Sequence, residues 1–245
     1  MVEFGEYIQV FGLEHFIYLG GVIFLGLFLF TKKKWITVNR DVVTNILIIV
    51  LLIQQLILYS SYVLLNQFTL GESLPFHISR ISTIMVIVFL IKKNKKLYNT
   101  LCYFGVFAYL SFIYPSRIYG ITHPLGISYF VSHAVTLLLP YYGMIAYQMK
   151  IETKERINSF KWLISYIIFC LIVNPLIDGN YFYLKEKPLF SSLPDIVYVP
   201  LLVVFSYFLF IFVEKIYRFI NMQLLYSNNR RQLINTSKEF NQANY

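Results

Sequence analysis

His77 and Arg80 stand three residues apart in Leu74-Pro75-Phe76-His77-Ile78-Ser79-Arg80, at the head of an apolar stretch that continues to Ile91. Read as one helix from Leu74, this spacing sets both on one face and leaves Arg80 two turns in. A guanidinium at hydrocarbon depth costs at least roughly 2.5 kcal/mol, so it normally faces a protein interior or a wet cavity and marks a functional site by default. Its planar fork suits a phosphate or carboxylate. A second polar line, Tyr129, His133, Thr136 and Pro140, repeats at helical spacing further on. Other chemistries find little support. No GxSxG, HExxH or Walker motif occurs, no lysine lies mid-span to carry a Schiff base, and His77, His133 and a carboxylate lack metal-ligand spacing. No metal or cofactor is therefore expected. Cys102 and Cys170 fall inside apolar runs and read as packing residues.

The elements that must position these groups are apolar. With 58% hydrophobic and 13% charged residues over 245 positions, and a mean hydropathy of +0.61, the chain reads as a polytopic membrane protein. Apolar runs matched to a hydrocarbon core of about 30 Å lie at Leu13–Phe30, Val42–Leu65, Leu74–Ile91, Leu97–Tyr114, Leu125–Ala146, Phe160–Ile177 and Ile196–Val213. This predicts an all-α domain of seven transmembrane helices over residues 1–220, followed by a polar, loosely ordered cytoplasmic tail over 221–245. The first run does not read as a cleaved signal, since Glu3 and Glu6 precede it and no basic residue appears before Lys32. Four basic residues follow each of the first, third and fifth runs and five follow the seventh, against only Arg117, Lys185 and Lys187 on the other side. The positive-inside rule then sets the N-terminus outside and the C-terminus in the cytoplasm. The net charge of +9 is thus topological and does not point to nucleic acid; the partners it suits are membrane lipids. Abundant Ile, Lys, Asn and Tyr with scarce Ala fit an AT-rich bacterial genome, and hence a bacterial plasma membrane.

This topology gathers all four histidines in the outer half. Glu14 and His15 open the first span, His77, Ser79 and Arg80 lie in the outer part of the third, and His133 lies in the fifth. Asn174 ends the sixth before Asp178-Gly179-Asn180-Tyr181, and Asp195 opens the seventh. Both polar lines can face one cavity open to the exterior, with Glu14, Asp178 or Asp195 as the expected counter-ion of Arg80. Plainer readings stand beside these. Arg80 starts only roughly 9 Å inside its span and can snorkel outward. Glu72 or water can satisfy His77, and an interhelical hydrogen bond accounts for His133 equally well.

The residues resemble those of the YwaF-like bacterial integral membrane proteins, which are related to the eukaryotic TMEM164 proteins. The resemblance rests on Glu14-His15, on Leu74-Pro75-Phe76-His77-Ile78-Ser79, on Ser132-His133, on Asn174 followed by Gly179-Asn180-Tyr181-Phe182-Tyr183-Leu184 with Lys187-Pro188, and on Ser192-Leu193-Pro194-Asp195. It runs roughly from Glu14 to Val213. It implies a seven-helix fold and, from the eukaryotic relatives, acyl transfer between phospholipids with a cysteine nucleophile in the Leu-Pro motif. Ser79 stands at that position here, and a hydroxyl needs an adjacent base where a thiol does not. A two-residue spacing turns His77 away from Ser79 on a helix, so His133 is the better base.

The leading expectation is a lipid acyltransferase or hydrolase. Ser79 is its nucleophile, His133 its base with His77 as the other catalytic histidine, and Arg80 its head-group anchor. Glu14, Asn174, Asn180 and Asp195 complete the substrate site. The alternatives are a non-catalytic binder or transporter of a small anionic solute in the same cavity, and an accessory subunit of a membrane complex.

Overall fold

The computed structural model describes the backbone of residues 6–65, 67–188 and 190–243, and side chains within those ranges up to residue 226. The described residues are helical: α1 (Leu13–Thr31), α2 (Lys33–Val38), α3 (Arg40–Leu64), α4 (Leu70–Ser73), α5 (Ile78–Lys92), α6 (Lys95–Phe104), α7 (Val106–Ile113), α8 (Pro124–Tyr147), α9 (Lys154–Ile177) and α10 (Asp195–Ala243), with a 3₁₀ turn at Tyr181–Tyr183. Their one extended pairing is an isolated bridge between Tyr7 and Tyr119.

Five of these helices are long and apolar enough to cross a membrane: α1, α3, α8, α9 and the Asp195–Tyr226 part of α10. The expected third and fourth spans differ. Leu74 precedes Pro75 and is extended (φ −67°, ψ 157°), because the proline ring disfavours helical backbone one residue earlier. The helix therefore begins at Ile78, and α5 has 15 residues, roughly 22 Å at the helical rise. The fourth run is divided at Gly105 into α6 and α7. At Gly105 a Cβ would come 3.2 Å from the Thr136 carbonyl oxygen. That carbonyl belongs to the residue four before Pro140, which has no N–H to return to it. The break in one element thus meets the proline in another. At the far end, α10 carries the backbone past residue 220 without interruption, where composition predicts a loosely ordered tail.

The central post is α8, which touches α1, α2, α3, α5, α6, α7 and α10. In its most apolar window 72% of residues are buried, against 22–28% for the other four long helices; those four present their apolar sides outward, as helices bathed in lipid do. The core around α8 includes Leu51, Val86, Phe89, Tyr98, Leu101, Leu139 and Phe210. Cys102 and Cys170 are buried, free thiols within it, as their apolar settings predict.

Candidate functional site

The Leu-Pro motif forms a turn and not a helix face. His77 is the extended residue just before α5 (φ −63°, ψ 138°), and Arg80 is the third residue of that helix; the expected placement of Arg80 two turns in is corrected by the delayed start. Arg80 is buried, at 8% exposure. Its NH1 donates to the carbonyls of Glu72 (2.5 Å) and Leu74 (2.7 Å), and its NH2 to the Tyr62 hydroxyl (2.6 Å). The guanidinium also lies over the Tyr62 ring at 5.2 Å. Its counter-ion is Glu72, with Oε1 3.6 Å from NH2. The three expected carboxylates are elsewhere: Glu14 lies against the backbone of Gly120, Asp178 pairs with Lys185, and Asp195 pairs with Lys187 at 2.7 Å. Arg80 thus ties α3 to both ends of the turn that presents Ser79.

Glu72 also meets His77. His77 Nε2 lies 3.1 Å from its Oε1, without the alignment of a hydrogen bond. Burial pushes the Glu72 carboxyl upward, but contact with His77 and the charges of His77, Arg80 and Arg117 outweigh it, and its pKa lies below the ordinary value. Ser79 is half-buried. Its carbonyl accepts from the Thr83 hydroxyl at 2.9 Å.

His133 is buried on α8. Its Nδ1 lies 2.9 Å from the Tyr129 carbonyl one turn back and 3.2 Å from Ser132 Oγ, which itself donates to the same carbonyl. A carbonyl only accepts, so Nδ1 carries the hydrogen of the neutral ring and Nε2 keeps the lone pair. The ring packs on Tyr129 at 4.2 Å and meets Phe112 edge-on at 6.3 Å. The helix that follows the Leu-Pro turn, α5, packs against α8. His15 is fixed differently. Its Nδ1 accepts from the Phe11 N–H and its Nε2 donates to the Phe112 carbonyl, so both nitrogens of the neutral ring are used.

The segment after α9 covers the Leu-Pro turn. Asn174 is buried and clamps Tyr181 by both backbone groups, Oδ1 accepting from its N–H and Nδ2 donating to its carbonyl, each at 3.0 Å. Tyr181 in turn meets the His77 ring edge-on at 4.7 Å and donates its hydroxyl to the Leu70 carbonyl. Phe182 and Tyr183 both have positive φ (59° and 54°), a conformation that costs such residues about 1–3 kcal/mol each. It is held because Phe182 is wedged between Phe107 (5.3 Å) and Tyr166 (5.4 Å). Asn180 folds the rest of the loop, its Oδ1 accepting from the N–H groups of Lys185 and Glu186. Of the predicted site residues, His77 and Arg80 meet at Glu72 beside Ser79, and His77 lies against the Tyr181 that Asn174 holds; His133 stands on the neighbouring helix α8 among Tyr129, Ser132 and Phe112. Asn180 and Asp195 act within the segment between α9 and α10, and Glu14 sits at the separate corner of Tyr119 and Gly120.

Sequence reasoning missed a second polar centre at the basic end of the bundle. Glu214 on α10 is buried and accepts from the Tyr103 hydroxyl (3.1 Å), the Thr153 hydroxyl (2.7 Å) and Arg156 NH1 (3.0 Å), with Arg218 NH1 at 3.6 Å. The signal was an acid placed one residue beyond an apolar run and four before an arginine, in an otherwise basic stretch. It joins α6, α9 and α10 and lies away from the Leu-Pro turn.

No curated protein and no solved structure matches this chain. The sequence model of the TMEM164 family, however, matches residues 10–217, which takes in the Leu-Pro turn, the α8 polar line and the loop after α9; with its several apolar helices, the chain is a multi-pass membrane protein and belongs to the TMEM164 family.

Proposed function

We propose that this protein is an enzyme of the bacterial plasma membrane, of the YwaF-like branch of its family, that transfers or hydrolyses acyl chains of membrane lipids in the region beneath Tyr181–Tyr183. In this reading the chain crosses the membrane seven times, α5 and the α6–α7 pair being the two shorter crossings, with the N-terminus outside and the C-terminus in the cytoplasm. The observation that carries it is the tautomer of His133: the Tyr129 carbonyl holds Nδ1–H, so the lone pair is fixed on Nε2 of a residue on α8, the helix that packs against the Ser79-bearing α5. A fixed lone pair beside a serine-bearing turn is what general-base activation of a hydroxyl requires.

The reaction balances with these groups. Ser79 Oγ bonds to the acyl carbonyl carbon as its proton passes to His133 Nε2, and the ester bond breaks. The same proton then leaves on the departing lysolipid oxygen. A second lysolipid hydroxyl, or water, attacks the acyl-serine, gives its proton through His133, and restores Ser79. Arg80 supplies positive potential behind the turn. Three of its five N–H donors are engaged by the chain itself, which weighs against a pure anion binder built on that fork, and these bonds hold the turn that carries Ser79.

The test is turnover of a phospholipid with a labelled acyl chain, together with a lysolipid acceptor, by the protein reconstituted in vesicles. His133→Ala and Ser79→Ala should each cost roughly 10²-fold or more, while Asp195→Asn leaves the rate near wild type. Wild-type protein that moves no label, or a Ser79→Ala variant as active as wild type, refutes the acyl-serine reading; co-purification with a membrane partner in the first case would favour an accessory subunit.

A further inference from the structure

At the opposite end of the bundle, a groove of about 410 Å³ runs between α6 and α9. Its donors are two exposed ammonium groups, Lys96 and Lys161, and no carboxylate pairs with either among the described residues. Toward the apolar side it is walled by Thr100 and Ser165, whose hydroxyls donate to the carbonyls four residues back, at 3.2 and 3.0 Å. With those donors used internally, this wall offers a ligand no free hydrogen. Toward the helix starts the lining is Glu155 and Asn158, and the amide of Asn158 donates one of its two hydrogens to Glu155 Oε2 at 3.0 Å; the carboxylate and the Asn158 carbonyl make this the acceptor-rich end of the groove. Trp162 is 66% exposed beside the groove, an amphipathic ring of the kind found at head-group level.

We infer that this groove binds the head group of an anionic, hydroxyl-bearing phospholipid of the phosphatidylglycerol type. The order along α9 follows the order of atoms in such a lipid. Ser165 and Thr100 border the acyl and ester region, Lys96 and Lys161 meet the phosphodiester, and Glu155 with Asn158 accepts from the hydroxyls of the head alcohol. Two lysines against one carboxylate leave the groove one positive charge in excess, which suits a lipid of net charge −1 over a zwitterionic one. Phosphatidic acid has the charge but no head alcohol, so it carries no hydroxyls beyond the phosphate to reach Glu155. Basic pockets between membrane helices hold anionic head groups by this logic. The site is separate from the Leu-Pro turn and from the lipid-processing reading of it.

The chain has two tryptophans, so a Trp35→Phe protein reports from Trp162 alone. In vesicles, phospholipids brominated on the acyl chain quench that fluorescence where they occupy the groove. Brominated phosphatidylglycerol in a phosphatidylcholine background should quench more strongly than brominated phosphatidylcholine, phosphatidylethanolamine or phosphatidic acid at equal mole fraction. Lys96→Gln with Lys161→Gln should lower its relative affinity roughly 30-fold, from about 1 kcal/mol per lysine, and Lys33→Gln with Lys34→Gln should leave it unchanged. Glu155→Gln should narrow the margin over phosphatidic acid. Equal quenching by phosphatidylglycerol and phosphatidic acid in the wild-type groove, or an equal loss from the Lys33 and Lys34 pair, overturns the assignment.

Discussion

Replacing Arg80 by methionine separates two roles for this residue. A clamp for a lipid head group would leave the protein about as stable as before, or more so, because an unpaired buried charge disappears. A tie within the fold would not. Arg80 gives three hydrogen bonds, to two main-chain carbonyls and the Tyr62 hydroxyl. Bonds to a charged group contribute about 1.5–3 kcal/mol each, but burying the guanidinium opposes them, and breaking such buried arrangements typically costs about 3–5 kcal/mol. That range is expected for Arg80→Met in denaturant or thermal unfolding in micelles. Arg80→Lys should fall between, because one ammonium cannot reproduce the directions of the fork. Tyr62→Phe should cost about 1.5–3 kcal/mol in the wild type and close to nothing in the Arg80→Met background, since the two changes remove the same bond. An Arg80→Met protein that unfolds like wild type refutes the tie, whatever its activity.

Two further perturbations test the neighbourhood. Because the Glu72 pKa is lowered on folding, its contribution is present above the unfolded-state value and is lost as pH falls through the depressed folded value; acid unfolding curves of wild type and Glu72→Gln should differ at neutral pH and converge on acidification, and parallel curves would contradict the pairing with His77 and Arg80. In α8, a Cβ on Gly126 would sit 1.9 Å from the Gly120 carbonyl oxygen, whereas Gly20 in α1 has nothing within 4 Å of such a Cβ. Gly126→Ala should therefore destabilise by about 1–3 kcal/mol and Gly20→Ala should stabilise by up to about 1 kcal/mol in the same unfolding assay, and equal effects would mean that α8 does not approach the Tyr119–Gly120 turn so closely.

The long helices were legible because their signal is redundant. In α1, α3 and α9 some twenty apolar residues argue for the same element, so no single position decides it. The Leu-Pro turn was not redundant in this way. Its outcome depended on one residue, Pro75, whose effect on Leu74 delays the helix start by four positions and moves Arg80 from the second turn to the first. Gly105 was similar: hydropathy passes through it unchanged, and the break appears only beside the unbonded carbonyl that Pro140 creates on α8. Features set by one backbone constraint escape an averaged apolar window.

The site shows the same limit in its charges. Spacing marked Arg80 as anomalous, and a search along the helix axis for its partner led to acids that open or close other spans. The partner was Glu72, eight residues before it, brought back by the turn between α4 and α5. Asn174 and Asn180, chosen as site residues on motif grounds, spend their amides on the backbone of the loop that follows. A conspicuous polar residue in an apolar sequence has two ways to earn its place, by serving a ligand or by satisfying main chain that a loop carries into the bundle, and sequence position alone does not separate them. Hydrogen-bond accounting does: Arg80 and Asn174 have their named donors engaged within the fold, whereas Nε2 of His133 keeps a lone pair to give. That difference is why the proposed chemistry is placed on His133, whereas Arg80 is better understood as a tie between α3 and the Leu-Pro turn.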